Sequence, residues 1–194
     1  MNKRLLLALA FLAGCGANPA KMQNVPLEWS PQKITEASAG AANPELFKVK
    51  VRVPPMTDSR TDLTLIGENR EREPVRQVRT TDDVDTFVTT HFTALLKSVH
   101  MSVVKNGETA VIQGDIQQFF VTETSNYDGE VRLGITVTDA AGKVLWTGTA
   151  VGKSNDVGHS YRLDNYYESL SDAVVAATSN LLQNQSFQEA LTKK

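Results

Sequence analysis

The stretch Thr109–Lys153, TAVIQGDIQQFFVTETSNYDGEVRLGITVTDAAGKVLWTGTAVGK, decides the fold class. Within it Val131, Leu133, Ile135 and Val137 alternate with Arg132, Gly134, Thr136 and Thr138, the two-residue period of a strand with one covered face. Ala141-Gly142 turns this strand, Glu130–Asp139, into a partner running from Lys143 to Lys153, so the pair reads as a hairpin. Upstream, Thr109–Thr122 reads as a long strand with Gln113, Asp115 and Gln117 on one side. After Ile116 the alternation breaks at Phe119-Phe120, which predicts a bulge or a change of covered face. Asn126-Tyr127-Asp128-Gly129 has the composition of the connecting turn.

Working outward, the spacing predicts a helix on either side of these strands. Over Asp82–His100, Val84, Phe87, Val88, Phe92, Leu95, Leu96 and Val99 form one apolar stripe. Thr81 or Asp82 is expected to cap it, and Asp83 and Asp85 suit its positive end, so these aspartates read as dipole partners rather than a cation site. Tyr166, Leu170, Ala173, Val174, Ala177 and Leu181 place a second amphipathic helix over Asp164–Gln183, with a short helical tail at Phe187–Leu191. At the other end, Leu46–Val53 reads as a strand with Phe47, Val49, Val51 and Val53 inward, ended by Pro54-Pro55. Leu63, Leu65 and Ile66 are the expected docking points of the connection that follows. Short strands are expected at Val75–Val78 and at Met101–Val104, before the Asn106-Gly107 turn. The order predicts an α+β domain: a two-layer fold with a largely antiparallel sheet and two amphipathic helices packed on one face. The first strand would join through the helical crossover.

The N-terminus reads MNKRLLLALAFLAGC. Lys3 and Arg4 precede an apolar run, Leu5–Leu12, far short of the about 20 residues that span a bilayer. A charged start, a short apolar middle and a small-residue exit make a secretory signal. Leu12-Ala13-Gly14-Cys15 resembles the bacterial lipobox, which implies lipid transfer to the Cys15 thiol, cleavage between Gly14 and Cys15, and acylation of the new amine. Cys15 is the chain's single cysteine, which excludes an intramolecular disulfide and leaves the thiol for the lipid. Gly16 lacks the aspartate associated with inner-membrane retention, so the expected location is the outer membrane, facing the periplasm. The domain organisation follows: 1–14 a signal peptide, 15–44 a lipidated N-terminus and flexible tether, and 45–194 one periplasmic domain. Ala37–Pro44 has linker composition. Val25, Leu27 and Trp29 stand out within the tether. They are expected to pack on the domain or the membrane interface, or to bind a partner.

Removal of residues 1–14 shifts the formal net charge from −2 to about −4, which argues against a nucleic-acid binder. No phosphate loop, zinc-ligand cluster or nucleophile elbow occurs, so no catalytic residue, metal or cofactor is assigned. His91 reads as a helix-boundary residue and His100 as a helix-end cation. His159 lies in a polar loop, where it would need Asp156 or Asp58 beside it to act. Asp58-Ser59-Arg60 with Ile66-Gly67, the Phe87–Leu96 helix face, Asp139–Trp146 and Asn165 through Ala173–Ala177 together resemble the YajG-like family of bacterial lipoproteins. They are more distantly similar to auxiliary lipoproteins of ABC-type lipid transport systems. The resemblance spans about residues 45–190 and implies no catalytic residues. The favoured reading is a lipid-anchored, non-enzymatic envelope domain that binds a protein partner. Its candidate residues are Asp58 and Arg60 with Gln113, Asp115, Gln117, Arg132, Thr136 and Thr138 on the open sheet face, and Thr147 and Thr149 beside them. The alternative is an accessory module for a lipid or glycan, with a groove between Phe119, Phe120, Trp146 and one helix.

Overall fold

The computed structural model describes residues 24–33 and 44–192. The signal, the Gly14-Cys15 cleavage site and the tether positions 16–23 and 34–43 lie outside them. The described residues form an eight-stranded sheet and three helices. Strands β6 (Ala110–Glu123), β7 (Tyr127–Asp139) and β8 (Val144–Asp156) make an antiparallel meander, the predicted hairpin among them. The other edge of β6 receives three short strands end to end, all parallel to it: β1 (Lys50–Arg52), β2 (Thr57–Asp58) and β3 (Leu65–Asn69). Beyond these, β4 (Arg76–Arg79) pairs antiparallel with β3, and β5 (Ser102–Val103) pairs parallel with β1. Helix α1 (Val84–Ser98) lies between β4 and β5 in the chain, so β1 reaches β6 through the expected helical crossover.

Helix α2 (Leu163–Gln183) lies across β7 and β8, and α3 (Gln185–Thr192) extends it. The odd-numbered residues of β7, from Tyr127 to Val137, face the helices and are buried with Phe92, Leu96, Tyr166, Leu170 and Val174. The even-numbered residues face the other way, toward solvent. This is the two-layer α+β arrangement, with one sheet face covered and one open. Helix and sheet come into close contact at Gly152, where an added Cβ would sit 2.0 Å from the Ala173 carbonyl oxygen and 2.2 Å from the Ala177 nitrogen. Small residues on both sides permit that approach.

Several elements differ from expectation. Pro44–Lys48 is a 3-10 turn rather than the start of a strand, and it turns Leu46 inward while Phe47 stays 40% exposed. Proline suits the first position of a helical turn, which overrides the alternation downstream. Only Ile66 of the three docking points is fully buried, and Leu63 is 54% exposed. The extra residue of β6 falls between Ile116 and Gln118, ahead of Phe119-Phe120. The turn after β6 shrinks to Thr124–Asn126, because Tyr127 is needed in the core and continues the strand. The cap of α1 is Asp83 in extended conformation, and Asp82 serves another segment.

That segment is Asn24–Lys33, inside the stretch read as tether. The Val25 N–H donates to the Arg79 carbonyl at 2.8 Å and the Leu27 N–H to Asp82 Oδ2 at 2.7 Å. Trp29 stacks on His91, with ring centroids 4.0 Å apart and planes within 3°, and meets Phe87 edge-on. The Gln32 and Lys33 N–H groups both donate to Asp172 Oδ1, at 2.7 and 3.0 Å, and Lys33 Nζ pairs with Asp156 at 3.0 Å. Ten residues thus form a strap from the β4 edge across α1 to α2.

Candidate functional site

The open sheet face is built by the alternation of β6, β7 and β8. Register sets Gln113 opposite Thr136, Asp115 opposite Gly134, and Gln118 opposite Arg132. On the other side Thr136 faces Thr147 and Gly134 faces Thr149. Gln117, the extra residue of the bulge, lies over Gly134 beside Asp115. Five of the six predicted face residues therefore come together on one surface. Thr138 shares the face but is only 9% exposed, enclosed between Val111 and Val144 at the hairpin end.

The charges on this face are answered within it. Asp115 accepts hydroxyl hydrogen bonds from Thr57 at 2.8 Å and Ser59 at 2.7 Å. Glu130 pairs with Arg132 at 2.8 Å and Lys153 at 3.4 Å. Partial burial pushes the Glu130 carboxyl up, but those two hydrogen bonds outweigh it and hold it below the usual carboxylate value. Asp128 accepts from the Asn155 amide. What remains outward is neutral: the Gln113 and Gln117 amides and the hydroxyls of Thr136, Thr147 and Thr149. A shallow open depression of about 440 Å³ lies among Pro54, Pro55, Thr57, Gln113, Asp115 and Thr136. A second, of about 470 Å³, surrounds Phe120, Gln118 and Asn155.

Asp58 and Arg60 stand apart from this surface. Arg60 holds Asp58 through two nitrogens, at 2.9 and 2.7 Å, and donates to the Leu63 and Leu65 carbonyls. Its guanidinium lies over the Phe119 ring, 5.8 Å from the centroid. With side chains 7% and 11% exposed, the pair pins the β2–β3 connection and offers little to a partner. The aromatic groove of the ligand-module reading is not formed. Strand alternation sends Phe119 into the core against Phe87 and Phe120 to the open face, while Trp146 packs on Phe187.

A buried polar cluster escaped the sequence reading. Glu123, fully buried at the end of β6, accepts hydroxyl hydrogen bonds from Tyr127 and Tyr166 and an N–H bond from Tyr161 at 3.0 Å. Tyr127 Oη is also 2.8 Å from the His159 carbonyl, so the cluster ties β6, β7 and α2 to the loop after β8. Burial pushes both tyrosine hydroxyls well above their ordinary value, and the Glu123 contact adds to this, so both stay protonated as donors. The signal was present in parity: Glu123 falls in the inward row of Phe119 and Val121. The His159 ring is exposed and makes no hydrogen bond or ion pair, while Asp58 and Asp156 are held by Arg60 and Lys33. Among the described residues there is no cluster suited to a metal ion, and no helix is long and apolar enough to cross a membrane.

No family model and no curated protein sequence matches this chain. Among solved structures, protein XCC0632 from Xanthomonas campestris, described as DUF330, aligns with a TM-score of 0.56 at 11% identity, over 73% of this chain and 87% of its own. The crystal structure of an uncharacterised protein aligns at 0.51 with 9% identity, over 71% and 92%. Lipoprotein GNA1162 from Neisseria meningitidis aligns at 0.37 with 13% identity, over 60% and 90%, too loosely to bear on the fold. At such identities the likeness is one of architecture, and this chain shares the architecture of the first two.

Proposed function

We propose that this chain is a lipid-anchored domain of the bacterial cell envelope, tethered to the outer membrane through Cys15, which binds a protein partner and catalyses no reaction. The observation that carries the partner role is the open face of β6–β8. Glu130, Arg132 and Lys153 are ion-paired and Asp115 and Asp128 hydrogen-bonded within the face, while its exposed amides and hydroxyls have no protein partner among the described residues. Such a face matches a polar partner surface whose donors and acceptors meet the free amides and hydroxyls. The anchor rests on the lipobox-like Leu12–Cys15 stretch and the apolar run before it. The YajG-like resemblance belongs to the same reading.

The test is affinity recovery of the full-length chain from envelopes solubilised in mild detergents, beside Thr136→Arg and Gln117→Arg variants. A stoichiometric protein that co-purifies with the wild type and is lost from both variants, at unchanged melting temperature, is the expected result. Recovery of no such protein in any of several detergents would count against the reading. A retained small molecule in the native mass spectrum would favour the lipid or glycan module instead.

A further inference from the structure

Strand β8 is an outer strand of the sheet: among the described residues it pairs with β7 alone. Its outward backbone groups can be identified from their contacts. The Val151 carbonyl accepts from Asn180 Nδ2 at 2.8 Å and the Asn155 carbonyl from Lys33 Nζ at 3.4 Å, so both point away from β7. Backbone direction alternates along a strand, which turns the N–H and C=O of Thr147 and Thr149 outward as well. Helix α2 and the strap answer the far half of this edge. Among the described residues nothing answers Thr147 and Thr149, both exposed, and next to them Val144 and Leu145 are 57% and 38% exposed. Native edges are usually blunted by a central lysine, a proline or a strong bulge. From Val144 to Gly152 this one has no charge and no proline, and its bulge is confined to Leu145, ahead of Thr147 and Thr149.

The segment Leu145-Trp146-Thr147-Gly148-Thr149-Ala150-Val151 is also its own complement about Gly148. In an antiparallel pairing centred there, Thr147 of one copy faces Thr149 of the other, and the four outward groups of each strand close four hydrogen bonds. The large Trp146 faces the small Ala150, and Leu145, the extra residue of a bulge in β8, lies beyond the regular part of the pairing. Gly148 meets Gly148, where the Trp146 ring already lies so close that an added Cβ would be 2.4 Å from it. The same register brings Lys143 of one copy toward Lys153 of the other at each end of the segment, where Lys153 is already paired with Glu130 of its own copy.

We propose that two copies of this chain join edge to edge through β8, antiparallel about a two-fold axis at Gly148, into one continuous sheet. The open faces of both copies then form a single surface of twice the width. An isologous contact of this kind closes on itself and leaves no further free β8 edge.

Sedimentation of the purified full-length chain in detergent, with detergent mass subtracted, tests the pairing against Thr147→Pro and Thr149→Lys. Proline at Thr147 removes an outward N–H and leaves the β7 ladder intact, and lysine at Thr149 charges the edge. The wild type is expected at twice the chain mass and both variants at the chain mass, with melting of each variant's fold by circular dichroism unchanged. A second measurement uses Cys15→Ser with Thr147→Cys and Thr149→Cys, which should cross-link copies under mild oxidation. A wild type that stays monomeric at every concentration, or dimers that persist in both variants, would overturn the proposal.

Discussion

A single missing side chain sets the spacing between the layers. Gly152 lets the backbone of α2 at Ala173 and Ala177 approach β8 with no room for a Cβ. Both obstructing groups are backbone atoms, so relief requires moving the helix. Gly152→Val should therefore destabilise the domain by about 3 kcal/mol, read as a lower midpoint in urea unfolding. Glu123 is the other decisive residue. Among the described residues no cation pairs with its carboxyl, which depends on hydroxyl and N–H donors. Tyr166→Phe removes one of these and keeps the ring packing against Tyr127, so the expected loss is about 2 kcal/mol by thermal unfolding. The same substitution at half-buried Tyr167 should cost far less.

At the scale of an element, the strap is the feature that composition misreads. It is rich in proline and polar residues, yet it buries Val25 fully and stacks Trp29 on α1. Its far end rests on Asp172, whose Oδ2 has no partner while Oδ1 takes two strap N–H groups. Burial raises the Asp172 carboxyl above its ordinary 3.8, and the Lys33 and Gln32 N–H groups oppose this only in part. A raised folded-state value means that the native protein binds the proton more tightly than the unfolded chain. The stability this contributes is full below about pH 4 and is lost as pH rises through the folded value. Asp172→Asn keeps an acceptor for both strap N–H groups and removes the charge. Its melting temperature relative to wild type should rise from pH 4 toward neutrality, and a difference independent of pH would contradict this. Trp29→Ala should loosen the strap at a cost of about 2 kcal/mol, seen as faster hydrogen exchange at Leu27 and Lys33.

For the whole molecule, the strap converts a long tether into a short one. Cys15 is nine residues from Asn24, where the docked chain begins, a reach of at most about 30 Å. A lipid at Cys15 would keep the β4 edge within that distance of the bilayer. Cys15→Ser should abolish acylation and cleavage together, leaving a precursor larger by about 14 residues whose domain unfolds at the wild-type temperature. Fatty-acid labelling and the mass of the mature N-terminus measure this. A mature wild type that begins elsewhere and carries no lipid mass would refute it.

Periodicity by itself determined β7, the hairpin to β8, helices α1 and α2 and the layer order, because each buries one face along many residues and the pattern accumulates. It also named most of the open face, since alternation assigns a side to every residue once one strand is placed. Short elements were beyond its reach: Pro44–Lys48, the two-residue strand β2, and the exact bulge position involve too few residues for a period to show. The pairing of three short strands along one edge of β6, the docking of the strap and the closure of Glu123 by two tyrosines join residues far apart in the chain. Only the tertiary structure decided these, because each forms from groups that meet after the sheet and helices have packed, and no local propensity distinguishes a proline-rich strap from a free tether.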